Sequence, residues 1–408
     1  MTRCLACGEP RVEQLADFGP QPVCHHFHDG TETEGTHPMV LGFCQACAVA
    51  QLIRPIPPEQ LIPRFDWIVY NEPEAHLDAM VDWLRDLPRL GPASLITGIT
   101  YKEDSTLRRF RERGFPNTVR LDPSTDLGLE HPRAGIESVQ RQLTPARARA
   151  WRKRHGAADL ILVRHTLEHA HDTATFIAAL REWVKADGHI VFEIPECARG
   201  FDLLDYTTLW EDHTHYFVEP TFRGTLERHG LRVVRFERFR SPYENCLVAV
   251  AQPVAEDRAQ PPQSLASEEV EAEQQRVRRF ASAFAQRRDA IQQLLSRWKT
   301  RGPVAVFGAG HQAATFLNLF TLAPWISFVI DDHPEKSRRA IPGCRIPIVG
   351  TATALDAKVP HWLSSVGAES ERRVLEKNRG FVEAGGTFAS IYPVLPGEIV
   401  HPIAGPLP

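Results

Sequence analysis

The chain has 408 residues, too many for one hydrophobic core and enough for two or three domains of about 150 residues each. Its composition, 43% hydrophobic and 24% charged, excludes a fibrous or disordered chain. A formal net charge of −4 gives no global field to attract nucleic acid or an anionic membrane. No apolar run reaches the roughly 18 residues of a membrane helix, and the N-terminus has no charged-then-apolar signal pattern. The expectation is a soluble cytoplasmic protein with neither nucleic acid nor membrane as partner, acting as a monomer or homodimer.

In chain order, Cys4-Leu-Ala-Cys7 and Cys44-Gln-Ala-Cys47 come first, thirty-six residues apart. In a reducing compartment, two such pairs bring four thiolates into a closed tetrahedron around a structural Zn²⁺, with Cys24, His25 or His26 as substitute ligands. A redox role would need a thioredoxin-like βαβ setting, which neither pair has. Residues 1–60 are therefore read as a zinc module. Tyr70-Asn-Glu-Pro-Glu-Ala-His76 follows a proline-rich linker. It reads either as a helix start, with Pro73 in the first turn and Asn71 or Glu72 as cap, or as a segment turning Tyr70, Glu72 and His76 toward a pocket.

Alternating strand and helix patterns then run through residues 61–255. Strands are expected at 94–98, 117–121, 159–163, 188–194, 231–236 and 247–251, and helices at 105–114, 173–185 and 220–229. This predicts an α/β unit with a mostly parallel, doubly wound sheet and its ligand outside the strand carboxyl ends, where Asp122 ends the second strand in position to bind ribose hydroxyls. Residues 252–267 read as a linker and 268–299 as a charged connecting helix with a solvated face; linker and helix together span 256–300. Residues 301–408 open on Val304-Ala-Val-Phe-Gly308-Ala-Gly310-His311-Gln-Ala313 and continue to a strand ending at Asp331-Asp332. That order is a Rossmann-like dinucleotide fingerprint, or else a strand-to-helix turn whose glycines serve packing alone.

The densest group of ionisable side chains is Leu209-Trp-Glu-Asp-His-Thr-His-Tyr-Phe217. A carboxylate beside an imidazole can bring the ring into the range needed to remove a proton from carbon; the plain alternative is a polar surface loop.

Taken together, the four cysteines, Arg164-His-Thr-Leu-Glu168-His169, Lys185-Ala-Asp-Gly188, Phe192-Glu-Ile-Pro195, Asp212-His213 and Pro342-Gly-Cys-Arg-Ile-Pro347 resemble the S-adenosylmethionine-dependent sugar C-methyltransferases that act on nucleotide-linked 4-keto-6-deoxyhexoses. The resemblance covers nearly the whole chain. It implies S-adenosylmethionine and structural Zn²⁺ as cofactors, a nucleotide-linked sugar as substrate and a place in natural-product or polysaccharide biosynthesis. It also implies His213 as the base that forms an enolate, Asp212 as its partner, and Tyr216 or His215 as proton donor to the ketone. Gly98, Asp122, His165 and Glu168 fall to the cofactor, and Tyr70, Glu72, His76, Gly308, Gly310 and His311 to the substrate. Where the family has Tyr-His-Glu-His, this chain has Trp210-Glu-Asp-His213, and its glycine-rich first turn is Thr97-Gly-Ile-Thr-Tyr-Lys-Glu-Asp104. Those departures leave open an isomerase, epimerase or nicotinamide-dependent enzyme of the same fold, or a non-catalytic pathway protein.

Overall fold

A computed structural model describes residues 2–29, 35–68, 72–255, 266–405 and 407. Tyr70, Asn71 and most of the linker expected before the long helix lie outside the described residues.

The zinc module is an antiparallel sheet of β1 (Val12–Pro22), β2 (Thr36–Cys44) and β3 (Ala50–Leu52). The middle sheet begins with β4 (Ile96–Gly98), β5 (Thr118–Arg120), β6 (Ala158–Arg164) and β7 (Val184–Glu196), which pair in parallel. The chain then leaves that sheet. The two-residue strand β8 (His215–Tyr216) pairs with β3 of the zinc module, Ala50 opposite Tyr216 and Gln51 opposite His215. β9 (Leu231–Phe239) and β10 (Asn245–Pro253) return as antiparallel strands, giving the order β5-β4-β6-β7-β10-β9. The third sheet holds β11 (Val304–Phe307), β12 (Ile326–Ile330), β13 (Ile348–Val349), β14 (His361–Ser364), β15 (Thr387–Ser390) and β16 (His401–Ala404) in the order β13-β12-β11-β14-β15-β16.

Local chemistry sets the helix starts. Asp122, Thr144 and Asp172 cap the helices Pro123–Leu127, Pro145–His155 and Thr173–Trp183 by accepting from the backbone N–H three residues on, and Pro123 and Pro145 occupy first-turn positions where an N–H has no helical partner. The expected helix after Pro73 starts late, at Leu77–Leu84, with His76 as its first flanking residue. Tertiary contacts override the capping preference: the Glu72 carboxylate pairs with Lys102, and His76 Nε2 lies 3.1 Å from Glu193 Oε1. Ser267–Lys299 is a single helix as expected, but it is not merely a solvated spacer. Val277, Phe280, Ile291, Leu295 and Trp298 are buried along one stripe, which shares a hydrophobic cluster with the zinc and C-terminal modules. No helix among the described residues is long and apolar enough to cross a membrane.

Candidate active site

The carboxyl ends of β4, β6 and β7 open onto a cavity of about 380 Å³. Its walls include Glu72, Tyr101, Lys102, Glu137, His165, His169, Trp210, Asp212, His213 and Glu244. This is where a doubly wound sheet exposes its strand ends, and each wall residue sits there for a local reason.

The turn after β4 is closed on itself. Glu103 is fully buried, its carboxylate accepting from Thr100 N–H at 2.6 Å and Arg164 N–H at 2.7 Å, and burial pushes its pKa up to about 7. Gly98 is required by that packing, since a Cβ there would stand 2.6 Å from Glu103 Cβ. Gly98→Ala is accordingly expected to destabilise the fold by about 1–3 kcal/mol, an overpacking cost read from the denaturation midpoint; an unchanged midpoint would contradict this close packing.

β6 ends on Arg164, whose guanidinium donates to Glu193 at 2.6 and 3.0 Å, so two buried charges compensate each other. His165 follows at φ 45°, a left-handed conformation unusual for a non-glycine residue and typical of sites where surrounding contacts hold strain. Burial opposes its protonation, but Glu72, Glu168 and Glu193 raise its pKa to about 10. His169 lies one short turn further on. Its Nδ1 stands 3.2 Å from Glu137 Oε1, and although burial opposes it, Glu137 and Asp212 hold its pKa up at about 9.

His213 faces the cavity edge-on to His169, ring centroids 4.6 Å apart, and lies nearly parallel to Trp210 at 5.2 Å. Burial, followed by the positive charges of His169, His311, His165 and Lys102, holds its pKa well below the usual histidine range. At neutral pH the two rings are therefore in opposite states, His213 neutral and His169 protonated. Asp212 is buried with one carboxylate oxygen, Oδ1, lacking a hydrogen-bond partner; burial, reinforced by Glu211 and Glu137, raises its pKa to about 7.

The structure brings together Asp212, His213, His165 and Glu72 from the sequence-expected set. It separates others. His215 and Tyr216 belong to β8, where pairing with β3 fixes them away from the cavity; His215 Nδ1 lies 2.8 Å from Thr214 Oγ1, and the Tyr216 hydroxyl donates to the Trp210 carbonyl at 2.9 Å. Asp122 is exposed and spends its carboxylate on Thr125 as a helix cap. Glu168 lies behind His165, and His76 lines a smaller neighbouring cavity with Glu193. Gly308 and Gly310 do not line the main cavity, and His311 is buried against Glu211. Lys102, in the turn that departs from the family's glycine-rich one, is on the wall, and Glu137, His169 and Glu244 join it without having been expected there. His169 had a signal, its i+4 spacing from His165; Glu137 sits on the helix Ile136–Gln142, which carries no motif.

In the zinc module the four thiols of Cys4, Cys7, Cys44 and Cys47 converge, with Sγ–Sγ separations of 3.6 Å for Cys4–Cys47 and for Cys7–Cys44. A tetrahedron with Zn–S bonds of about 2.3 Å has edges of about 3.8 Å, so the donor set fits zinc.

Three family models match consecutive parts of the chain: a zinc binding domain over residues 4–61, a methyltransferase domain over 97–235 and a C-methyltransferase C-terminal domain over 247–393. The chain is a C-methyltransferase built from these three modules. Among curated proteins, the C-methyltransferase NovU of Streptomyces niveus is 25% identical over 401 residues, covering 94% of each chain. Among solved structures, a Burkholderia thailandensis 1,6-didemethyltoxoflavin-N1-methyltransferase, determined with 1,6-didemethyltoxoflavin and S-adenosylhomocysteine, shares 15% identity over 45% of this chain and 80% of its own, with a TM-score of 0.31. The N-methyltransferase NodS of Bradyrhizobium japonicum shares 19% identity over 45% and 97% of the two chains, with a TM-score of 0.28.

This C-methyltransferase uses S-adenosylmethionine and carries structural zinc. Glu72 and Glu137 on the cavity wall already pair with Lys102 and His169, which leaves Glu244 and Asp212, whose Oδ1 is a buried acceptor without a partner, as the carboxyls that would face a sulfonium or ammonium group. Tyr101 and Lys102, rather than a glycine-rich turn, form the wall nearest β4.

Proposed function

We propose that the enzyme methylates a carbon next to the ketone of a nucleotide-linked deoxysugar, with His213 as the base. The observation that carries this reading is the pair of rings at the cavity, one held neutral and its neighbour held protonated 4.6 Å away. Two titratable groups pushed in opposite directions divide naturally into base and acid. His213 removes the proton next to the ketone, and the oxygen that gains charge as the enolate forms is stabilised by the His169 imidazolium, with Glu137 as its counter-charge. S-adenosylmethionine, when bound, supplies an electrophilic methyl group to that carbon. The sugar-nucleotide substrate class comes from the motif resemblance, and the relationship to NovU supports carbon as the acceptor.

The test uses a thymidine-diphosphate-linked 4-keto-6-deoxyhexose in D₂O with S-adenosylhomocysteine present. Mass spectrometry is expected to show deuterium entering next to the ketone, and replacing the homocysteine derivative by S-adenosylmethionine should add a methyl group at the same carbon. Methylation on oxygen or nitrogen, or neither exchange nor methylation across a panel of such sugars, would refute the reading. The pH dependence follows from the two rings. His213 is already neutral at neutral pH, so the exchange rate is level there, and it falls as pH rises through about 9 and His169 loses its proton. His169→Gln should be slow throughout and lack that alkaline limb.

A further inference from the structure

The strand–turn–helix motif of the C-terminal module has no part in the proposed chemistry, and its acid is already engaged. Asp331 Oδ2 accepts from Ala309 N–H at 2.9 Å and from Lys336 Nζ at 2.9 Å, so the carboxylate that would hold ribose hydroxyls closes the turn instead. Gly308, at φ 98°, is tight against the strand end: a Cβ there would meet Val366 Cγ1 at 2.8 Å and Ser365 Oγ at 2.9 Å. Both features fit a turn packed on itself.

The residue after the second glycine points to a different use. His311 opens the helix His311–Leu319 and is buried, its Nε2 3.0 Å from Glu211 Oε2 and its ring stacked on Trp210 at 3.7 Å and 12°. The other Glu211 oxygen accepts from Cys24 N–H of the zinc module at 2.6 Å. All three modules therefore meet on Trp210 and Glu211, the two residues that precede Asp212 and His213. These are also the two positions where the chain departs from the family's Tyr-His.

We propose that His311 is a positioning residue: the C-terminal turn clamps Trp210 and Glu211 and so sets the His213 ring against His169 at the cavity, in place of binding a nucleotide. The inference rests on the reading of His213 as base. Two contacts transmit it. Trp210 lies nearly parallel to both the His311 and the His213 rings, and Glu211 is the direct chain neighbour of Asp212. Glu211 raises the His311 pKa against burial, and an imidazolium facing an indole is further stabilised by the ring's quadrupole. That positive charge lowers the His213 pKa together with those of His169, His165 and Lys102, and the carboxyls that act on His169 and His311 among these cations are Asp212, Glu211 and Glu137.

The first two readouts need no knowledge of the natural sugar. In the full-length zinc protein with ¹³Cε1-labelled histidine, the His213 resonance, assigned by its loss in His213→Gln, is expected to shift and to titrate at higher pH in His311→Ala. S-adenosylhomocysteine affinity by calorimetry should stay within about twofold. Deuterium exchange into the ketosugar should fall on the order of 10- to 100-fold, the scale of a small misplacement of a catalytic group. His311→Gln, which keeps a donor toward Glu211, should recover most of that rate, and Glu211→Ala combined with His311→Ala should cost little more than either alone. If His311→Ala does not fold, His311→Gln and Glu211→Gln carry the titration test, since each removes one charge of the pair. An unmoved His213 titration in folded variants would overturn the proposal. So would binding of NAD⁺ by the native protein that Asp331→Asn abolishes. If His213→Gln itself leaves exchange intact, the assignment of the base fails instead.

Discussion

His213→Gln is expected to lower both deuterium exchange and methyl transfer by about 10²–10⁴-fold, the range that a positioned general base contributes, with S-adenosylhomocysteine affinity nearly unchanged. Glutamine approximates the volume of the ring and keeps polar atoms, so Trp210 and His169 retain a neighbour, but it cannot take up a proton. The comparison that isolates chemistry from packing is Tyr216→Phe. That change removes only the hydroxyl donating to the Trp210 carbonyl, a neutral hydrogen bond with a net contribution of about 0.5–1.5 kcal/mol, and leaves every cavity-facing group in place. The expected order is a large loss for His213→Gln and a small one for Tyr216→Phe. A folded His213→Gln enzyme that still exchanges at the native rate would remove His213 from the mechanism.

The contrast between His213 and Tyr216 also marks what a sequence can and cannot disclose. Within one nine-residue stretch, residue type and density single out chemistry, and the resemblance favours His213 as base with Asp212 beside it while leaving His215 and Tyr216 both eligible as proton donor. Only the pairing of β8 with β3, a contact between segments more than 160 positions apart in the chain, turns His215 and Tyr216 into sheet residues and leaves Asp212 and His213 at the cavity. The parallel strands and the long helix were legible because their hydrophobic periods are local. Asp122 was legible as the end of a strand, yet a short capping bond to Thr125 decided its use. Pro73 misled for the converse reason: its local preference for a first helical turn lost to the pairing of Glu72 with Lys102 and of His76 with Glu193. Glu137 had no periodic or motif context at all, and its place beside His169 depends on the helix Ile136–Gln142 docking over the strand ends.

The same pairing makes the zinc module a support for the site, and removal of its metal is expected to have the second large effect. Cys44 ends β2, its N–H donating to the Val49 carbonyl at 3.0 Å to turn the chain into β3; β3 then pairs with β8, which begins two residues after His213. Leu5 N–H also donates to the Gln51 side chain at 3.0 Å, tying the first cysteine pair to the same strand. Zinc binding in small cysteine modules is worth about 10–16 kcal/mol, as large as the whole stability of a typical domain at about 5–15 kcal/mol. Packing of Val49, Cys44 and Cys47 onto the middle sheet offsets part of a loss of that size but cannot replace it. Cys44→Ser is therefore expected to lose its zinc by elemental analysis, to unfold earlier on heating, and to lose exchange activity by more than about 10²-fold, as a freed β8 lets the His213 ring depart from its contact geometry with His169. The middle sheet should persist, so strand signal in circular dichroism falls only in part. A zinc-free Cys44→Ser protein with native exchange rates would show that β8 is held in place without the metal, and that the module contributes nothing to the geometry of the site.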